Sequence, residues 1–339
     1  MNIVVNPINC RKGRSRLSFR HFASIYFIIA ILSSACVAQN VPAHPNWPGP
    51  GQLFVGTCYQ PIDRTPEEID NDIAIMKRAG FNVVRIGDLS WDSFEPSQGK
   101  FDFGWWDKVV AKMHDNGIHV IMDIPGSPAP IWLHRTYPGV DIVAQDGTRR
   151  PPAERYMDDI SDPNYAHELG ILADAIMKHF AHNPAILAVG YNNEIGNGYM
   201  SYSSGDRERF ITWLRKKYGT IEELNKAWAT QRWQRRLHSF ADVDMPLADG
   251  PGLPERYLDL HRFWSDVSVA RLQELDGIRR RNMPDIPTIS NLWDFAPRRG
   301  FDYLSTYKSY VSYGAEGFYP GDPVGGSFQA LMEKGDLPT

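Results

Sequence analysis

Short apolar runs alternate with longer amphipathic segments along most of the chain. The run at residues 185–191 is almost wholly apolar, whereas Ile69, Ile73 and Met76 recur at the spacing of one helix face. A continuous apolar run is typical of a parallel strand covered on both faces, and the second pattern is typical of an amphipathic helix. The pattern therefore predicts six strands, over residues 53–59, 82–88, 119–124, 185–191, 286–293 and 310–318.

Helix start signals fall between these strands. Thr65 precedes a proline as an N-cap residue does, and Asp162 stands before Pro163 in the same way. Thr220, with Glu223 three residues later, has the form of a capping box. The signals predict helices that begin at Thr65 and Asp162 and others over residues 105–116, 206–218, 220–228, 254–281 and 325–334. Residues 125–161 are predicted as a long irregular stretch, of a length that is usually functional.

Repeated strand–helix units imply a parallel sheet with right-handed crossovers. No glycine-rich phosphate-binding sequence follows the first strand, which argues against a nucleotide-binding fold. Six units in order, each strand ending in polar residues, favour a (β/α)8 TIM barrel, an α/β fold that eight units close. We expect the chain to supply about six of those eight units, with the barrel domain over residues 52–339.

The first residues differ from the rest. A basic segment, an apolar run and small residues follow each other within residues 1–38, the order of a secretory signal peptide. The sequence around Cys36 also resembles a lipoprotein processing site, so lipidation there and ordinary cleavage both remain open. Residues 39–51 are a proline-rich linker. We therefore expect export to the periplasm, the medium or the cell envelope, with membrane attachment only through Cys36.

Composition narrows the function further. The chain is 42% hydrophobic and 22% charged, as in a soluble globular protein, and its net charge is −4. Removal of the basic leader makes it more acidic, which argues against nucleic-acid binding. Three cysteines, at positions 10, 36 and 58, form no disulfide framework and no zinc-type spacing. We expect neither a metal nor a cofactor.

The fourth strand leads directly into Asn192, Asn193 and Glu194. Catalytic groups of TIM barrels sit at the carboxyl ends of the strands, and a carboxylic acid beside an amide suits the protonation of a leaving group. The alternative is that Glu194 caps the next helix or pairs with a nearby arginine.

Three blocks in register, residues 76–87, 91–107 and 217–233, resemble the catalytic domain of glycoside hydrolase family 42, the β-galactosidases. The resemblance covers roughly residues 52–335. It implies that Glu194 is the general acid/base, that Asn193 binds the sugar 2-hydroxyl and that Arg155 supports the site. It also implies that Trp233 and Tyr319 line the sugar pocket. Asn193 could instead be a helix cap, Tyr319 a core ring and Trp233 a surface anchor.

A retaining glycosidase needs a second carboxylate as nucleophile. In the family it is a glutamate at the end of strand seven, and the resemblance places it beyond Thr339; Glu316 is the stand-in within the chain. We therefore expect a retaining β-glycosidase whose chain is incomplete, acting on a β-galactoside or another β-linked oligosaccharide. The alternatives are an inactive carbohydrate-binding remnant and another sugar specificity. The family's usual glutamate after Arg-Ile-Gly is Asp88 here, which puts galactose specificity in question.

Overall fold

A computed structural model describes residues 53–150, 152, 154–155, 157–195, 200–247 and 254–290. Several predictions lie outside these ranges: the leader with Cys36, the linker, the strand at 310–318, the helix at 325–334, Tyr319 and Glu316. Within them, no helix is both long and apolar enough to cross a bilayer.

Five parallel strands form one sheet whose spatial order is also the chain order. They are β1 Gly56–Cys58, β2 Val83–Ile86, β3 His119–Ile124, β4 Ile186–Tyr191 and β5 Thr288–Ile289. A doubly wound sheet would reverse its order at a switch point, whereas a barrel adds each strand to the last. The strands are therefore the first part of a TIM barrel, as predicted.

Helices fill the connections between the strands. Their bounds are α1 Pro66–Arg78, α2 Trp91–Phe94, α3 Gly104–Asp115, α4 Ile131–Thr136, α5 Pro163–Phe180, α6 Ser204–Tyr218, α7 Ile221–Ala227 and α8 Pro254–Asn282. Short 3-10 turns lie at Pro61–Asp63, Pro138–Val140, Arg232–Gln234 and Phe240–Asp242. The stretch predicted as irregular therefore contains α4 and the turn at Pro138–Val140. The sequence pattern did not indicate these elements because they are short and lack a complete apolar stripe.

The capping residues explain where the helices begin. Thr65 accepts a hydrogen bond from the Glu68 amide, and its own amide donates to the Glu68 carboxylate at 2.8 Å. The Asp162 side chain accepts from the amide of Asn164 at 2.8 Å at the start of α5. The box predicted at Thr220 is only half formed: its side chain accepts from the Glu223 amide, while the Glu223 carboxylate lies 3.8 Å from Lys226. Each satisfied N-terminal amide is worth about 1 kcal/mol.

The main core lies between the sheet and the helices α1, α3 and α5. All six residues of β4 are buried, which accounts for its unbroken apolar sequence. Phe94 stacks on Trp106 with ring centroids 4.3 Å apart, closing the core under α3.

A second core joins α6, α7 and α8 around one buried carboxylate. Asp259 accepts hydrogen bonds from Trp228 Nε1 at 2.9 Å and from Tyr218 Oη at 2.6 Å, and it pairs with Lys217. Burial opposes ionisation of Asp259, but these donors outweigh it and lower its pKa. The family-like block at residues 217–228 is thus explained by packing around Asp259.

Candidate active site

The carboxyl ends of β2, β3 and β4 meet at one edge of the sheet, as parallel strands require. Asn192, Asn193 and Glu194 follow β4 there, and each is at least nine-tenths buried. Two of them are strained, because Asn192 and Glu194 have φ of 53° and 50°. A left-handed conformation at a residue other than glycine costs of the order of 1 kcal/mol and is frequent at active sites.

Glu194 faces Arg155, whose Nη2 lies 3.5 Å from Glu194 Oε2. The Arg155 side chain is half exposed, so the pair sits at the border between protein and solvent. The next helix, α6, is capped by Ser203, so the capping alternative for Glu194 is wrong, whereas the alternative that Glu194 pairs with a nearby arginine is met by Arg155. A carboxyl group held beside a cation at the rim of the site is placed where a substrate can reach it.

Asn193 is held by Arg85, a residue that the sequence patterns did not single out. Arg85 Nη1 donates to Asn193 Oδ1 at 3.2 Å. Because a guanidinium can only donate hydrogen bonds, the amide oxygen must face it and the amide NH₂ must point elsewhere. The contact therefore fixes the orientation of the Asn193 amide, with its oxygen on Arg85.

Arg85 is fixed in turn by Asp123, the other residue that sequence reasoning missed. Arg85 Nη2 forms an ion pair with Asp123 Oδ2, and Asp123 is completely buried at the end of β3. Both charges interrupt apolar strands, and this signal could have identified them, because unpaired charges are almost never fully buried.

Gly190 in β4 makes room for this ion pair. A Cβ atom at Gly190 would lie 1.7 Å from Asp123 Oδ1, far inside any permitted contact. The register pairs Asp123 with Gly190 directly, so no other strand residue would leave that space. The apolar strand therefore needs its glycine for the Arg85–Asp123 pair.

Asp88 adds a second carboxyl group to this region. It follows β2 and is 8% exposed. Burial and then the charge of Asp123 raise the pKa of Asp88 to about 7, against the opposing charges of Arg85 and Arg155. Burial also raises the pKa of Asp123, although Arg85 opposes this. The floor of the site therefore contains two carboxyl groups that resist simultaneous ionisation.

A buried histidine organises the long loop that carries Arg155. His134 Nδ1 lies 2.8 Å from Asp141 Oδ1, and His134 Nε2 lies 3.0 Å from Asp158 Oδ1. Since a carboxylate only accepts, both ring nitrogens must donate, and the ring is an imidazolium. Burial lowers the pKa of His134, but the hydrogen bonds and charges of Asp158 and Asp141 outweigh it, and the net shift is upward. Asp158 also accepts from Ser127 Oγ at 2.5 Å and thereby ties the loop to the end of β3.

The predicted aromatic residues are not part of this cluster. Trp233 is 84% exposed, with φ of 56°, and the Arg235 guanidinium lies 4.6 Å from its ring centroid. This is the surface position of the alternative interpretation, and the pocket role of Trp233 stays a prediction. Tyr319 lies outside the described residues. Among the described residues, no three acidic, histidine or cysteine side chains are arranged to hold a metal ion.

A sequential parallel barrel sheet with buried polar side chains at its carboxyl edge is the arrangement of a TIM-barrel enzyme, whose catalytic groups lie at that edge. The comparison with known proteins makes this specific. The chain belongs to glycoside hydrolase family 42, whose profile, described as β-galactosidase, matches residues 58–321.

Two curated relatives of the chain are both named β-galactosidases. The chain is 32% identical over 279 residues to the β-galactosidase Pbg of Clostridium perfringens, a match that covers 80% of this chain and 40% of that protein. It is 34% identical over 216 residues to a β-galactosidase of Thermus thermophilus, covering 63% of this chain and 34% of that one. The chain thus spans about 40% or less of the length of these curated relatives.

Solved structures show the same fold. The β-galactosidase of the psychrophilic Marinomonas ef1 superposes with a TM-score of 0.73 at 28% identity, covering 79% of this chain and 41% of that one. The β-galactosidase of Bacillus circulans sp. alkalophilus superposes with a TM-score of 0.75 at 26% identity, covering 83% and 42%.

Proposed function

We propose that this protein is a retaining β-glycosidase that removes terminal β-linked galactose, with Glu194 as general acid/base. The observation that carries the proposal is the position of Glu194: it ends β4, is nearly buried and lies beside Arg155 at 3.5 Å. The names of the relatives support galactose as the sugar.

The mechanism follows from two carboxyl groups used in turn. A second carboxylate attacks the anomeric carbon while Glu194 gives its proton to the departing oxygen, and a glycosyl ester forms. Glu194, now ionised, takes a proton from water, whose oxygen displaces the carboxylate and leaves galactose with its original anomeric configuration. Asn193, turned by Arg85, donates a hydrogen bond to the sugar 2-hydroxyl in both steps.

The test separates the acid role of Glu194 in the first step from its base role in the second. In the Glu194→Gln variant of the complete protein, with its nucleophile present, we expect cleavage of lactose-type substrates to fall by at least about 10²-fold, the usual contribution of a positioned acid. Aryl galactosides with good leaving groups need no acid, so they should still form the glycosyl-enzyme, which then accumulates. Turnover of unactivated disaccharides at the parent rate would contradict the assignment.

A matched control is Glu168→Gln. Glu168 on α5 is also buried, at 2% exposure, but it accepts hydrogen bonds from Gln98 Nε2 and Tyr137 Oη. This variant should keep its activity if it folds, because its partners are neutral donors that an amide oxygen also satisfies. A loss equal to that of Glu194→Gln would mean that the removal of any buried carboxylate inactivates the protein.

The nucleophile and the sugar are tested by trapping. In the complete protein, a 2-fluoro aryl β-galactoside should label one glutamate other than Glu194, located by peptide mass spectrometry. Inversion of the anomeric centre would contradict the retaining mechanism. Binding of galactose without any hydrolysis of aryl glycosides would indicate a carbohydrate-binding protein, and a higher kcat/KM for another sugar in an aryl glycoside panel would replace galactose.

We also propose that the protein is exported. The support is the order of basic, apolar and small residues within residues 1–38. Expression in a bacterial host followed by N-terminal sequencing should find the leader removed from the mature protein. An intact N-terminus on cytoplasmic protein would contradict export.

A further inference from the structure

Two aspartates and one arginine form a buried cluster next to Asn193. Asp123 is fully buried, Asp88 is 8% exposed and the Arg85 side chain is 11% exposed. Asp123 Oδ2 binds Arg85, whereas Asp123 Oδ1 and Asp88 Oδ1 are buried without a hydrogen-bond partner among the described residues. A buried carboxyl oxygen without a donor is costly, which makes the ionisation state of this cluster important.

Charge balance indicates that the cluster holds a proton. With both carboxyl groups ionised, two negative charges would face one buried guanidinium. Neutralising the excess charge by binding a proton costs less than burying it, as in other paired carboxyls that share one proton. Arg155 also acts on Asp88, but it is half exposed and in contact with Glu194, so it does not replace a buried counter-charge.

Asp88 is the carboxyl group that takes the proton. Asp123 is engaged in the charge-assisted bond to Arg85, which favours its ionised form. Burial and then the charge of Asp123 raise the pKa of Asp88, whereas Arg85 on β2, the backbone amide of Leu89 and Arg155 on the loop lower it.

We propose that Asp88 is a positioning residue for the sugar site: as a neutral acid it leaves Arg85 to Asp123 and Asn193, and as an anion it competes with Asn193 for that guanidinium. A carboxylate is a stronger acceptor than an amide oxygen, and the Arg85–Asn193 bond is long at 3.2 Å. Loss of the proton therefore loosens the bond that turns the Asn193 NH₂ toward the substrate. The choice of galactose as the ligand rests on the proposed function. The presence of a proton on Asp88 does not depend on it.

The first experiment detects the proton on Asp88 and needs no enzymatic turnover. Urea unfolding of the chain is followed between pH 5 and 9 for the parent and for Asp88→Asn, which resembles the neutral acid. The folded parent keeps a proton that unfolded aspartate loses near pH 4, so its midpoint should fall as the pH rises to about 7 and then level. The variant should lack this component, and Asp92→Asn, an exposed aspartate on α2, should retain it.

The positioning role is measured by binding of galactose. Above the titration of Asp88, the affinity of the parent should fall by up to about tenfold, the equivalent of one weakened hydrogen bond, and then level, whereas Asp88→Asn should keep its affinity. Asp88→Ser, also neutral, serves if the asparagine variant does not fold. Identical pH profiles of parent and neutral variants would overturn the inference. Absence of galactose binding at every pH would contradict the proposed substrate, and the unfolding profiles would still decide the proton.

Discussion

Gly190→Ala tests whether the ion pair below the site depends on a missing side chain. The new Cβ would lie 1.7 Å from Asp123 Oδ1 and 2.8 Å from Asp123 Cγ. Because Asp123 is fully buried, it cannot turn toward solvent and must break its pair with Arg85. Separation of a buried ion pair costs about 3–5 kcal/mol, a large part of the 5–15 kcal/mol that stabilises a typical domain.

The assay is urea unfolding followed by circular dichroism, with Gly170→Ala as the matched control. Gly170 lies inside α5, and the nearest atom to the methyl group that alanine would add there, Ile278 Cδ1, is 3.8 Å away. That variant should raise the free energy of unfolding by about 0.5–1 kcal/mol, the ordinary gain of alanine over glycine in a helix. If the free energy of unfolding of Gly190→Ala lies within about 1 kcal/mol of that of the parent, the sheet does not require the close packing of Asp123 against β4.

Three further variants test the charged groups of the domain. His134→Gln should lower the free energy of unfolding by about 3 kcal/mol at pH 6, because it removes the cation that Asp158 and Asp141 share, although Asp141 keeps its pair with Arg149. The pKa of His134 is raised in the folded protein, so its contribution to stability is complete below about pH 6.5 and is lost as the pH rises through the folded pKa. The difference in stability between parent and variant should therefore shrink as the pH rises. A difference that stays constant with pH would contradict the assignment. Asp107→Asn, which breaks the exposed pair with His179, should change the stability by less than about 1 kcal/mol. Replacement of the ion pair as a whole, Arg85→Met with Asp123→Leu, should leave the stability equal or higher in urea unfolding while galactose binding is lost; retained binding would mean that Arg85 does not orient Asn193.

Local sequence patterns were sufficient for the repeating part of the fold. The strand that ends before Asn192 was predicted because burial on both faces removes polar positions, and the helix at Asp162 because a cap and a proline fix its first turn. Shorter elements were missed: α4 has six residues and no complete apolar stripe. The predicted bounds of the long helix at 254–281 differ from α8 by only one residue.

The site was predictable only in part, because its contacts join distant segments. Glu194 and Asn193 stand out locally at a strand end, but the Arg155 contact comes from a loop whose path no periodicity specifies. Arg85 and Asn193 are 108 residues apart, and only the register of three strands brings them together. A charge inside a buried strand signals that a partner exists without showing which residue it is.

The Arg85–Asp123 pair shows why the floor of the site is charged at all. Two buried charges are at best a neutral choice for stability, since apolar residues of similar size usually serve as well. The pair also restricts Gly190, a residue that weakens β4 because it offers no side chain to pack. Besides Asp123, the guanidinium donates to the amide oxygen of Asn193 and to Cys58 Sγ. The charge in β2 is therefore best explained by the orientation of that amide, which a flexible lysine with a single point charge would hold less firmly than the planar fork of arginine.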